Sequence, residues 1–271
     1  MPSKQNPKPD NQVAIVTGAA QGGNSHAPDI ELASEGYSVV VSDLPAKQED
    51  LISVVQQIQA VYRSRPSATS LSALHIECDV TDEDQVDGLV KTTVARLGRL
   101  DVMVANAGIA RMAPLLESTT ELLESVHAVN VKGVLYCYRA AARAMIPSGG
   151  GRIIGACSVA GKLPVPYMGA YVMSKYAVRG LTHTAAQEWG AHGITVNAYA
   201  PGIIDTDMWT KDIISTYDYA SALEQKALEL VATHKKSTPD QIAGLVAFLV
   251  SPAAANINGQ CISVDGGWNI D

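Results

Sequence analysis

The chain has 271 residues, 47% of them apolar, with 27 acidic against 20 basic side chains and a formal net charge of −7. That length can bury a large core. The acidic balance argues against nucleic acid or an anionic membrane surface as a partner, because both are polyanions. The four cysteines, Cys78, Cys137, Cys157 and Cys261, show no CxxC spacing and lie among apolar neighbours, which reads as reduced, buried thiols in a cytoplasmic protein. The six histidines form no HExxH or similar pattern, so no metal site is expected.

Residues 1–11, MPSKQNPKPDN, are polar and Pro-rich and read as a disordered tail rather than a signal peptide. Short β-branched runs then alternate with longer helical patterns. Strands are expected at 13–18, 38–43, 73–79, 101–106, 152–157, 194–200 and 260–265, and helices at 28–35, 47–63, 83–97, 119–146, 167–190 and 239–250. Continuously apolar strands imply burial on both faces. The fold class is therefore α/β, with residues 12–271 forming one Rossmann-type, doubly wound domain around a seven-stranded, mainly parallel sheet. Residues 64–72 read as a surface insertion. The stretch 203–237 is too long for an ordinary connection and reads as a substrate lid at the carboxyl end of a late strand. No apolar run is long enough to span a membrane.

The first strand runs into TGAAQGG, Thr17 to Gly23. Glycines there let the backbone approach a pyrophosphate at a helix N-terminus, which points to Gly18, Gln21, Gly22 and Gly23 as dinucleotide contacts. Asp43 ends the second strand, where a carboxylate accepts from adenosine ribose hydroxyls and repels a 2′-phosphate. Neither Gln21 nor Leu44 supplies a cation for such a phosphate, so NAD is favoured over NADP. After Gly23 the loop turns irregular, with Asn24, Ser25, His26, Ala27 and Pro28 in place of a further glycine. Proline belongs in a first helical turn, so the helix is expected to start late, near Ala27.

Farther along, Tyr171 and Lys175 stand at i and i+4, on one face of a predicted helix. A phenol beside a fixed cation is a proton-transfer device, since the cation favours the phenolate.

Together these motifs give the chain a resemblance to the short-chain dehydrogenase/reductase family over about residues 12–268. TGAAQGG resembles the family's glycine loop, Asp79-Val80 its adenine-contacting pair, and Asn106-Ala107-Gly108 its NAG turn beside the cofactor. Asn130 in HAVNVKG, Ser158 thirteen residues before the tyrosine, and Tyr171 with Lys175 resemble its catalytic tetrad. Pro201, Gly202, Ile204 and Thr206 resemble its PGxxxT segment along the nicotinamide. Helix 167–190 and the strand after it look most like acetoin/diacetyl reductases and butanediol dehydrogenases.

The resemblance implies NAD-dependent interconversion of a secondary alcohol and a ketone. Tyr171 would be the acid/base, Lys175 would lower its pKa and hold the ribose, Ser158 would bond the substrate oxygen, and Asn130 would steady a water. Family members commonly assemble as tetramers or dimers through helices corresponding to 119–146 and 167–190. Expected pocket walls are Ala110, Arg111, Met112, Val159, Val165, Met168, Ile203, Met208 and Trp209, mostly apolar, which suits a hydrophobic carbonyl or alcohol. Two other readings stay open: an NADP-dependent biosynthetic ketoreductase, and a non-catalytic nucleotide-binding or scaffolding protein with an altered glycine loop.

Overall fold

The structure is a computed structural model describing residues 11–20, 28–65, 70–206, 209, 213–215 and 217–270. Seven strands, β1 (Val13–Thr17), β2 (Ser38–Ser42), β3 (Ala73–His75), β4 (Val102–Ala105), β5 (Gly151–Ala156), β6 (Ile194–Pro201) and β7 (Cys261–Val264), form one sheet in the order β3-β2-β1-β4-β5-β6-β7. Every pairing is parallel. The chain winds outward from β1 to β3 and then crosses back to lay β4 beside β1. This reversal leaves a crevice beyond the carboxyl ends of β1 and β4.

Strand alternation divides the core. Ile15, Val40, Met103 and Ile153 point to one face, under α3 (Glu83–Leu97), α5 (Val134–Met145) and α6 (Gly169–Trp189). Val16, Val39, Val41, Val104 and Ile154 point to the other, under α1 (Pro28–Ser34), α2 (Gln48–Arg63) and α8 (Pro239–Val250). This double covering is why the strands read as unbroken apolar runs. Asp101 locks the base of the sheet: its carboxylate accepts the Val13 N–H at 2.8 Å and a forked pair from Arg99 at 2.8 and 2.6 Å.

Local signals account for several boundaries. Asp82 caps α3 by accepting from the backbone N–H groups of Asp84 and Gln85, and Gly98 ends the helix at φ +84°. Helix α1 starts at Pro28, one residue from the expected position. The helix expected over 167–190 starts at Gly169, because Tyr167 turns at φ +65°. The span 119–146 is not one α-helix. It is α4 (Thr120–His127), a π-helical stretch Ala128–Gly133, and α5, with a final 3₁₀ turn at Ile146–Ser148. Strand β3 is shorter than expected, although Ile76 N and Cys78 N still donate to the Val41 and Asp43 carbonyls at 3.1 and 2.9 Å. The amphipathic segment in the 203–237 excursion is α7 (Ala220–Leu230). Residues 1–10 of the expected tail, 66–69 of the insertion and several lid residues fall outside the described residues.

Gly150 and Gly193 meet where the turns into β5 and β6 cross. A Cβ on Gly150, at φ +119°, would lie 2.3 Å from the Gly193 carbonyl oxygen. Gly150→Ala is expected to cost about 3 kcal/mol or more in thermal unfolding. Gly244→Ala, in the α8 interior with open space around its Cβ, should instead stabilise by roughly 0.5–1 kcal/mol.

Candidate active site

The turns after β1 and β4 are pressed together. Gly18 has φ +64°, and a Cβ there would lie 2.6 Å from the Ala107 Cα. Glycine is therefore required twice over, by conformation and by contact. Thr17 Oγ1 accepts from the backbone N–H groups of Asn106 (3.1 Å) and Ala107 (3.2 Å). The Asn106 amide donates back to the carbonyls of Thr17 and Gly18 at 3.0 and 3.1 Å. Tyr199, on β6, donates to Asn106 Oδ1 at 2.6 Å and fixes which way that amide points.

Asp43 stands just past the end of β2 and reaches this turn. Its carboxylate accepts from Ala20 N at 3.0 Å and from its neighbour Leu44 N at 2.8 Å. Each carboxylate oxygen retains a second lone pair for a hydroxyl donor. Asp79 accepts the backbone N–H and side-chain hydroxyl of Thr81, holding the turn that carries buried Val80. Val80 packs on Gly133, where a Cβ would come within 2.9 Å of it. Gln21, Gly22 and Gly23 lie outside the described residues. For the others, the constricted Gly18 turn and the Asp43 carboxylate beside it suit an adenosine dinucleotide.

The four tetrad candidates meet at the next strand ends. Asn130 lies in the π-helical stretch, a form often found at functional sites. Fully buried, it accepts from Ile109 N at 2.9 Å and donates to Ile109 O and Ser174 Oγ at 2.9 and 3.1 Å. Ser174 Oγ in turn donates to Tyr171 O at 2.7 Å, so Asn130 ties the Gly108 turn to the tyrosine's helix. Gly108 fills the space between: a Cβ there would lie 3.4 Å from Asn130 Oδ1 and 3.6 Å from Lys175 Nζ. Buried Lys175 donates to Ala156 O at 2.7 Å, and its Nζ is 5.3 Å from the Tyr171 ring centre. Ser158 caps a short turn, its hydroxyl accepting from Ala160 N at 3.2 Å and donating to Pro201 O at 3.5 Å, and it shares the cavity wall with Tyr171.

The electrostatics differ from the expectation of a tyrosine made acidic by lysine. Burial pushes the Tyr171 hydroxyl up to about 12, opposed by the Ser158 hydroxyl. Burial also draws Lys175 down to about 8. Desolvation disfavours both charges and is the largest cause of each shift.

Tyr171 and Ser158 face a cavity of about 120 Å³. Ala110, Val159, Val165, Met168, Ile203 and Trp209 line it as expected, along with Pro201, Gly202, Ile204 and Thr206. Met112 instead lies buried under the excursion, its N–H donating to the Tyr217 hydroxyl at 3.2 Å. Arg111 is exposed and folds its guanidinium onto Ala110 O. Met208 lies outside the described residues. Ile213 and Trp268 also line the cavity and were not expected. Trp268 follows a Gly-Gly pair past the last strand, where no periodicity marks it as part of a site.

Residues 18–269 match the family described as enoyl-(acyl carrier protein) reductase. A short-chain dehydrogenase/reductase of Armillaria gallica is 42% identical over 263 residues, 96% of this chain and 97% of that protein. The chain belongs to the short-chain dehydrogenase/reductase family. An L-2,3-butanediol dehydrogenase of Corynebacterium glutamicum is 38% identical, covering 95% of this chain and 98% of its own. A gluconate 5-dehydrogenase structure from Burkholderia cenocepacia, in complex with NADP and tartrate, superposes with a TM-score of 0.83 at 30% identity, covering 96% of each chain. This short-chain dehydrogenase/reductase is an oxidoreductase with the family's Rossmann-like sheet, and among its described residues no helix is long and apolar enough to cross a membrane.

One acid outside the cavity is poorly accommodated. Asp29, in the first turn of α1, is fully buried, and among the described residues neither oxygen has a hydrogen-bond partner. Its own N–H and that of Ile30 come near enough to ease the charge without completing a hydrogen bond, and burial raises it to about 6. The folded protein thus prefers the neutral acid. The penalty is absent below about pH 4, grows toward pH 6 and is complete above it. Asp29→Asn should flatten that pH dependence and gain up to about 3 kcal/mol at pH 7. Thermal unfolding of both proteins from pH 4 to 8 checks this.

Proposed function

We propose that residues 12–271 form one dinucleotide-binding and catalytic unit, an NAD(H)-dependent dehydrogenase that interconverts a secondary alcohol and a ketone. The observation that carries this reading is the juxtaposition of Tyr171 and Ser158 in the wall of an apolar cavity, with Lys175 buried behind them. When bound, the dinucleotide supplies the hydride; every other step falls to the chain's own side chains.

Gly18, Asp43, Asp79, Val80, Asn106, Ala107 and Gly108 would hold the cofactor's adenosine and phosphate half. Tyr171, Lys175, Pro201, Gly202, Ile204 and Thr206 would position its nicotinamide half. In ketone reduction Tyr171 donates its proton to the carbonyl oxygen while the Ser158 hydroxyl bonds that oxygen as charge develops. Lys175 bears the positive charge beside the phenol. Asn130 acts as a positioning residue, joining the turn at Gly108 to α6.

A hydroxyl held protonated favours the donor role, so the neutral-pH direction is reduction. The substrate is a neutral carbonyl or alcohol, because among the described residues the cavity lining contains no charged side chain. A cytoplasmic homo-oligomer, a dimer or tetramer, completes the reading.

The solved relative that holds NADP keeps an NADP-dependent ketoreductase as the second reading. Asp43→Ala discriminates. The NADPH-to-NADH ratio of kcat/KM should rise by about tenfold or more; an unchanged ratio removes Asp43 as the selector. Absence of binding to either nucleotide, by fluorescence titration, would favour the scaffolding role. The pH profile tests the acid. Ketone reduction should be level through neutrality and fall above about pH 8 as Lys175 loses its proton, while alcohol oxidation should climb with pH as the phenolate becomes accessible. Tyr171→Phe should abolish both directions yet retain nucleotide binding.

A further inference from the structure

Past the end of β7 the chain turns back on itself, and one buried acid holds the turn. Both carboxylate oxygens of Asp265 are committed to backbone: Oδ1 accepts from Gly267 N at 3.0 Å and Oδ2 from Asn269 N at 2.9 Å. The two bonds fall on either side of Trp268 and fix the backbone that presents its indole. Gly266, at φ +67°, lets the turn press on the chain that follows α7. A Cβ there would lie 2.4 Å from Thr233 Oγ1, and Thr233 N donates to Gly266 O at 3.1 Å across the same contact.

The turn is also fastened to two other parts of the cavity surround. Val264 O accepts from Gly202 N at 3.2 Å and from Ser237 Oγ at 3.2 Å. It thereby joins the end of β6 to the neck of the excursion. Two indoles line the cavity, Trp209 and Trp268, and they are held differently. Trp209 is pinned through its own side chain, its Nε1 donating to Glu224 Oε1 at 2.5 Å. Trp268, which is half-buried, is placed through its backbone by Asp265.

We propose that Trp268 is a specificity-determining wall of this cavity and that Asp265 is its positioning residue, the two together setting the largest ketone or alcohol that the cavity accepts. The inference rests on the reading of the cavity as the substrate site. An indole is the bulkiest side chain, and the space it borders is only about 120 Å³. Added bulk on a ligand must therefore displace the ring, and the bonded turn resists that displacement. The exclusion acts on binding rather than on proton transfer, because Tyr171 and Ser158 stand on other elements.

The test compares cyclohexanone with 4-tert-butylcyclohexanone as substrates of the full-length protein with NADH. Wild type should prefer the smaller ketone in kcat/KM. Trp268→Ala should raise the relative kcat/KM of the larger one by roughly tenfold. The change should lie in KM, with kcat for cyclohexanone kept within about twofold. Asp265→Ala should move the ratio the same way although it removes no atom of the cavity lining, and Asp265→Asn, which keeps one acceptor oxygen, should fall between. A merely structural role for Asp265 would lower the melting temperature and leave the ratio alone. An unchanged ratio in Trp268→Ala, or in Asp265→Ala, overturns the proposal. A second readout is independent of turnover. Acetophenone should quench tryptophan emission saturably in wild type and about half as much in Trp268→Phe, since two of the three tryptophans line the cavity. Equal quenching in both proteins overturns the placement of Trp268, whereas quenching as expected without turnover of either ketone counts against the dehydrogenase reading alone.

Discussion

The approach of Gly18 to Ala107 governs much of what lies around it. Two backbone turns from different strand pairs come into contact only because Gly18 has no side chain. Cross-bonds between Thr17 and Asn106 then make the contact rigid. From Asn106 the order spreads to β6 through the Tyr199 hydroxyl. From Gly108 and Ile109 it spreads to Asn130, and from there to Ser174 and the backbone of Tyr171. The proposed nucleotide-binding turn and the proposed proton donor thus belong to one hydrogen-bonded chain. A disturbance at the glycine should be felt at the tyrosine without any change in the residues between them.

Burial, rather than charge pairing, sets the proton affinities in this region. Lys175 and Tyr171 are close enough to interact, but both are withdrawn from water, and a low dielectric penalises each charged form before their attraction is counted. A phenol that keeps its proton is suited to giving it to a carbonyl oxygen. A lysine whose charge is only loosely held is suited to responding to whatever negative charge arrives beside it.

Much of this was legible in the sequence. Strand alternation and spacing gave the doubly wound sheet, since a strand buried on both faces has no polar register to confuse it. The tetrad candidates were legible because Tyr171 and Lys175 share a helical face, and because Ser158 and Asn130 fall where the resemblance places them. The π-helical stretch around Asn130 was not legible, because a π-turn differs from an α-turn by one residue of hydrogen-bond register and leaves the apolar pattern nearly intact. Nor was Trp268, which reaches the cavity only because the chain doubles back after β7. Arg111 misled for a physical reason: a long side chain beside an apolar wall can turn its charge to the nearest free carbonyl and to water.

The excursion between β6 and α8 shows how an apolar cavity can be built at the rim of a polar crevice. Its two ends are fastened together: Ser237 N donates to Ile203 O at 2.8 Å and Asp205 N to Ser237 O at 3.1 Å. A loop closed at its neck keeps its own packing whatever its tip does. Inside the loop, Trp209 Nε1 donates to Glu224 Oε1 at 2.5 Å, and Lys236 bonds the same oxygen at 2.5 Å. The indole can therefore bury its ring against the cavity without leaving its N–H unmet. Lys236 compensates the Glu224 carboxylate behind the indole, so the part of the wall that Trp209 forms stays uncharged. Tyr217 and Tyr219 press the same segment onto Met112 and Tyr167. Under the proposed function, a wall assembled this way would discriminate by shape and by the cost of desolvating a charge, favouring a neutral carbonyl over a carboxylate or phosphate.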